Sequence, residues 1–338
     1  MTASAGWTIH SIQPILRSLL ALALAALALA PLLSANVYVQ TLGVSACLFA
    51  TMAMAFNLVY GYTGLLCFAQ VAFLGIGGYT AAILVTRLGW SFWVAAPVGG
   101  LLAAIAGLVV AFSSLRLSRH SFGIATLAAA LLCTIVARDW VSLTRGSMGI
   151  PGLPAPEIHL GSLDIVINNP YRFYGLSLIF AVGAIAFLHR IIHSRIGRIF
   201  VSIRENEPLA ISQGIDPLRY KLLSVGLSAF VTGLCGALMV FNLTIVDPSI
   251  LDFYYTETML IMVVIGGPGH FWSVLVSSLV FSILPELLRF STDLRLVLYG
   301  LLLIAAMLVF PKGIAGLLEK RGTDFWHKRL AAGRGQVS

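Results

Sequence analysis

Ionic side chains are scarce in this chain: 10% of its 338 residues are Asp, Glu, Lys or Arg, against about 25% in soluble domains. That is too few to clothe a water-exposed surface, so a soluble globular protein is excluded. Chemistry-bearing motifs are missing as well. There is no G-x-x-x-x-G-K-[ST] segment, so the chain cannot hydrolyse a nucleoside triphosphate by itself, and there is no HExxH, no GxSxG and no aspartate pair within an apolar stretch. The four cysteines (Cys47, Cys67, Cys133, Cys235) form no CxxC, lie inside apolar stretches and have no metal ligands nearby. They read as small core hydrophobes. No catalytic set, metal site or cofactor motif is predicted.

What the chain does have is apolar length. Hydrophobic residues make up 59% of it, and runs near the ~20 residues needed to cross a hydrocarbon core recur throughout. The reading is an all-α polytopic membrane protein with about ten transmembrane helices, at roughly 15–35, 37–60, 64–86, 91–115, 121–138, 171–189, 222–241, 255–267, 270–288 and 294–311. The first run is longer than a signal-peptide core and is read as a retained span. The net charge of +8 does not indicate nucleic acid. The basic residues fall in loops and tail, where lipid headgroups and the positive-inside rule account for them.

The run at 255–267 is short for a crossing, and Pro268-Gly269 breaks it. If 255–288 crosses twice and the amino terminus is inside, 15 Lys and Arg lie on the cytoplasmic side and 6 outside; a single crossing gives 11 and 10. The positive-inside rule favours ten crossings with both termini cytoplasmic. This divides the chain into a transmembrane domain over 1–311 and a basic cytoplasmic tail over 312–338.

Two connections stand out. The cytoplasmic loop 190–221 carries six basic residues and a compact helix signature, Arg204-Glu205-Asn206-Glu207-Pro208 to Gly214. Asn206 or Glu207 can cap, Pro208 suits a first turn, and Gly214 suits a left-handed stop. Leu209, Ala210 and Ile211 would offer a small apolar surface. The surrounding charges are mixed, whereas a helix lying on lipid favours basic ones, so a docking helix for a soluble partner is expected. The outward connection 139–170, rich in Gly and Pro, cannot be helical throughout. It is either a solvated linker or a structured lip over an external mouth.

Within the spans, Asn57 and Gln70 put amides at bilayer depth, where they either bond between helices or line a polar path. Phe73, Gly77 and Tyr79 share that segment. Gly75-Ile-Gly-Gly78 and Gly266-Gly-Pro-Gly269 read as one glycine-rich break in each of two opposed four-span sets, an arrangement that suggests inverted repeats with broken helices. Gly266, Gly267 and Gly269 join the pathway or helix-break candidates. Glu257 and Glu286 lie near span ends and read as structural.

Five stretches in register resemble a known family. They are Asn57-Leu-x-x-Gly-Tyr-Thr-Gly-Leu-Leu through Tyr79; Leu115-Arg-Leu with Ile124-Ala-Thr-Leu127; Thr144-Arg-Gly-Ser-Met-Gly-Ile-Pro-Gly-Leu-Pro154; Arg204 to Leu222; and Met262 to Gly269 with Pro285-Glu-Leu-Leu-Arg289 and Pro311-Lys-Gly313. Together they resemble the LivM-type permeases of branched-chain amino-acid ABC importers. Gln70 stands where many members carry histidine, Pro208 where many carry a helix former, and Arg145 and Met148 at loop positions usually small or polar. The resemblance implies a homologous second permease subunit, two ABC ATPase subunits and an external solute-binding protein, in a bacterial inner membrane. It gives Arg204, Glu205, Asn206, Glu207 and Gly214 a role in coupling to the ATPase. Branched-chain amino acids are the implied solutes; urea or short amides and aromatic acids are alternatives for the same type of permease. A secondary transporter would need an ionisable residue at mid-depth, and none is evident.

Overall fold

The structure, a computed structural model, describes residues 36–116, 119–160 and 163–282, together with Pro31 and Leu301. The expected first and last spans, Glu286 and the basic tail lie outside those residues. Helix α1 spans Val37–Asn57 and widens into a π-helical turn over Leu58–Tyr62. Then follow α2 (Gln70–Leu88), α3 (Phe92–Ser114) and α4 (Arg119–Asp139). Short strands β1 (Ile150–Pro151), β2 (Glu157–Leu160) and β3 (Leu163–Val166) precede α5 (Pro170–Ile192). Two small helices, α6 (Arg195–Glu205) and α7 (Glu207–Ser212), lead into α8 (Pro217–Leu243). Strand β4 (Ile245–Val246) comes before the short helices α9 (Tyr254–Gly266) and α10 (Phe271–Phe281).

Six of these helices are long and apolar enough to cross a membrane. The all-α polytopic class is therefore what the chain adopts. The helix comprising α1 and its π turn is the hub, with 83% of its apolar window buried inside the protein, whereas α4 and α5 each bury 28%. Their outward faces carry Ile124, Leu132, Ile179 and Val182, all exposed, as suits contact with lipid or a partner subunit. A 23-residue α5 is about 34 Å long at 1.5 Å per residue. It therefore sets the 139–170 connection and the 190–221 loop at opposite ends of the bundle.

Around the hub, α2, α3 and α8 meet one another through glycines. A side chain on Gly77 would drive into the Gly233 backbone, and one on Gly99 would meet the Gly77 carbonyl at 2.6 Å. Small residues let helix backbones approach, which in lipid supplies the packing that drives association. This corrects one expectation. Gly75 to Gly78 is not a helix break, because α2 runs unbroken through it; these glycines serve close packing.

The break in the first four-span set lies earlier. Residues 63–69, expected to begin a span, are non-helical and buried: Thr63, Leu65, Cys67 and Ala69 are each at most 2% exposed. Irregular backbone survives at membrane depth only where protein satisfies it. Here the Leu65 N–H donates to the Val59 carbonyl at 3.0 Å, and the Phe68 N–H to Thr126 Oγ1 at 3.1 Å.

The second break falls where expected. At Gly267-Pro268-Gly269 the chain reverses, with φ of 97° at Gly267 and 83° at Gly269, a region where only glycine is unstrained. Helix α10 then folds back on α9: Ser277 Oγ donates to the Met262 carbonyl at 2.8 Å, and a Cβ on Gly266 would lie 2.6 Å from Val274 Cα. The reversal is the change of direction that a double crossing requires.

Candidate functional site

The 190–221 loop is built by local capping. Ser194 Oγ accepts the Ile196 N–H at 3.1 Å and starts α6, whose inner face buries Phe200 and Ile203. Asn206 ends α6 in extended backbone and starts α7, its Oδ1 accepting the Leu209 N–H at 3.0 Å. Pro208 occupies the first turn and Gly214 follows at φ 81°. Of the three apolar residues, Ala210 is buried, while Leu209 and Ile211 are 56% and 55% exposed. A two-residue apolar knob therefore projects from the loop.

The acidic residues of this loop are engaged within the chain. Glu207 Oε1 lies 2.6 Å from Lys221 Nζ on α8, and Glu205 Oε1 lies 2.6 Å from Arg204 Nη2. Glu207 is thus a brace between α7 and α8, a role the sequence did not reveal.

Arg204 reaches further. Its Nη1 donates to the Gly61 carbonyl in the π turn, a group left without a helical partner because the helix ends at Tyr62. A Cβ on Gly269 would also run into the Arg204 guanidinium, so the hairpin tip between α9 and α10 sits against the same group. Asn57 completes the junction: its Oδ1 accepts the Gly269 N–H at 3.0 Å. Arg204, Gly61, Asn57 and Gly269 thus join the cytoplasmic-loop candidates to the helix-break candidates in one clasp. Arg204, Asn57 and Gly269 were singled out separately in the sequence; Gly61 and the juxtaposition of the four were not.

Gln70 lies in a second buried polar group. Its Nε2 donates to Ser228 Oγ at 2.5 Å and Thr232 Oγ1 at 3.3 Å, and Ser228 Oγ–H donates on to the Ala55 carbonyl at 2.7 Å. Asn57 and Gln70 are 0% exposed, Phe73 is 1% and Tyr79 is 7%. In this conformation all four sit between helices, as does Gly77. Ser228 and Thr232, the partners of Gln70, went unnoticed because two hydroxyls in an apolar run carry no distinctive spacing. Among the described residues no group of three or more His, Cys, Asp or Glu could hold a metal ion.

At the opposite end the described residues of the 140–169 connection are held by bonds to one another and to neighbouring elements. β1 pairs antiparallel with β4, Ile150 opposite Val246, and β2 with β3. Arg87 Nη2 donates to the Ser142 and Leu143 carbonyls at 2.6 and 2.9 Å. Trp93 Nε1 donates to the Glu157 carbonyl at 2.8 Å.

A bundle of lipid-length helices around a hub with broken, protein-buried segments, carrying a capped helix at one end, defines a membrane transport subunit. A protein-family profile described as the permease component of the branched-chain amino acid transport system matches residues 37–307, and the chain belongs to that family. It is 28% identical over 290 residues to the high-affinity branched-chain amino acid transport system permease protein LivM of Escherichia coli K12, covering 79% of this chain and 67% of that protein. To LivH of the same organism it is 27% identical, covering 80% and 92%. A probable LivH of Methanocaldococcus jannaschii is 25% identical, covering 81% and 90%.

Proposed function

We propose that this protein is a membrane-spanning permease subunit of an ABC importer that moves branched-chain or related hydrophobic amino acids inward. ATP hydrolysis belongs to two partner ATPase subunits, since the chain carries no nucleotide-binding motif. A homologous second permease completes the membrane unit, and an external binding protein delivers the solute. The membrane is the bacterial inner membrane. The 190–221 loop faces the cytoplasm and the 139–170 connection faces outside, as a lip to the external mouth.

The observation that carries this reading is the α6–α7 loop. It projects Leu209 and Ile211 into solvent while Arg204 bonds to the π turn of the buried hub. Such a loop can receive an outside partner and pass its movement to the helix breaks. The test is Leu209→Glu with Ile211→Glu in the complete importer. ATPase co-purification and leucine uptake are expected to fall at least ten-fold, while permease abundance in the membrane is unchanged. Normal co-purification would remove the knob from the interface. Glu207→Arg is a poorer probe, because it also repels Lys221 and disturbs the brace.

A further inference from the structure

At the end opposite the docking loop a groove of about 880 Å³ opens between α4 and the turn that joins β4 to α9, within the ~300–1,000 Å³ usual for small-molecule sites. Its wall is one stripe of α4. Leu127, Leu131, Ile135 and Arg138 follow at helical spacing, and all line the groove. From Leu127 to Arg138 is eleven residues, about 16 Å of helix. The floor is apolar and only the mouth is charged. Arg138 stands at the outer end of the stripe, and Asp247 and Asp252 face the groove from the turn.

These three charges are not used up by the fold. Asp247 Oδ1 accepts the Ser249 N–H at 2.8 Å and Asp252 Oδ1 accepts the Tyr254 N–H at 3.1 Å, each leaving its second oxygen without a partner among the described residues. The Arg138 guanidinium likewise has no hydrogen bond or ion pair among them. The turn is held in place, because Thr134 Oγ1 on α4 reaches the Leu251 carbonyl at 3.4 Å and β4 is paired with β1.

We infer that this groove is an outward-facing binding site for a zwitterionic amino acid with an aliphatic side chain. Arg138 takes the carboxylate in a bidentate fork, Asp247 and Asp252 take the ammonium, and Leu127, Leu131 and Ile135 receive the side chain. A zwitterionic phospholipid would present the same two signs above apolar tails, and the test below separates it from an amino acid because protection by free leucine requires the smaller ligand. A zwitterion with an apolar tail matches both halves of the groove. The inference rests on the amino-acid importer reading above and places the solute on this subunit.

The experiment uses the complete importer in proteoliposomes with its binding protein. Leu131→Cys is modified by a maleimide, and leucine is expected to slow the reaction at least three-fold. Isoamylamine, which lacks the carboxylate, and 4-methylpentanoate, which lacks the ammonium, are expected not to. In parallel, Arg138→Gln, Asp252→Asn and the groove-filling Leu131→Trp are each expected to lower leucine uptake ten-fold or more, with the second permease and the ATPases still co-purifying. Equal protection by all three compounds overturns the site as a zwitterion site. Loss of the second permease from the Arg138→Gln complex overturns it in favour of a subunit interface. Unchanged uptake in all three variants, with the wild type importing leucine, overturns the groove alone. If the wild type imports none of leucine, isoleucine and valine, the solute assignment falls and the groove falls with it.

Discussion

Two buried amides in this protein look alike in the sequence and are not equivalent in the fold. Asn57 accepts the backbone N–H of Gly269 at the hairpin tip. Deleting it strands a buried donor, which costs about 1–3 kcal/mol. Gln70 donates to Ser228, but Ser228 keeps its own bond to the Ala55 carbonyl without it. The Gln70 carbonyl oxygen and the Asn57 amide nitrogen each lack a partner among the described residues, so the difference lies in the backbone N–H that only Asn57 satisfies. Gln70→Leu therefore exchanges one good bond for relief of one unsatisfied acceptor, and is expected to change stability by less than ~1 kcal/mol. Asn57→Ala is expected to destabilise by about 1–3 kcal/mol and to lower uptake, because the hairpin tip loses its tie to the hub. Thermal unfolding of the purified complex, read beside transport, compares the two. A loss below ~1 kcal/mol for Asn57→Ala would show that the tip does not depend on Asn57.

At the scale of elements, glycine was legible as a class but ambiguous in use. The Gly267-Pro268-Gly269 reversal could be read directly, since proline has no N–H to donate and the flanking residues need positive φ. Gly75 to Gly78 has similar composition yet sits in continuous helix. Only the facing Gly233 and Gly236 of α8, more than 150 residues away in the chain, explain it. The 63–69 break escaped notice for the reverse reason: it is nearly all apolar, and what holds it non-helical is Thr126 on another helix. The cap residues of α7 in the 190–221 loop, by contrast, act within four positions, so that helix was readable from the sequence. Gly77→Val tests the packing role. A side chain there must push into the Gly233 backbone, which cannot yield as a flexible side chain can, and overpacking typically costs about 1–3 kcal/mol. Membrane abundance and thermal stability are expected to fall together, with Gly233→Ala behaving similarly. A neutral Gly77→Val would mean that α2 and α8 separate during the transport cycle.

Across the whole molecule, the ends of the bundle divide the work. One end carries the apolar knob at Leu209 and Ile211 and the Arg204 clasp; the other carries the paired strands and the charged groove mouth. The proposed coupling between them would run through α1, which is largely buried, stacks Phe49 on Tyr255 of α9 and ends in the π turn that Arg204 grips. A buried helix moves as a unit rather than bending locally, so displacement of α6 is expected at the far groove as well. That scheme requires the two ends to face opposite compartments. Met148, 85% exposed beside β1, and Gln213, exposed after α7, mark them. The native cysteines are no obstacle, three being buried and Cys133 half-buried within α4. In intact cells an impermeant thiol reagent is expected to label Met148→Cys, and to label Gln213→Cys only after permeabilisation. Thr292→Cys should behave like the former and Phe325→Cys like the latter if the chain crosses ten times with both termini inside. Labelling of Gln213→Cys in intact cells would put the docking loop outside, where no ATPase could reach it, and would overturn the importer topology while leaving the fold untouched.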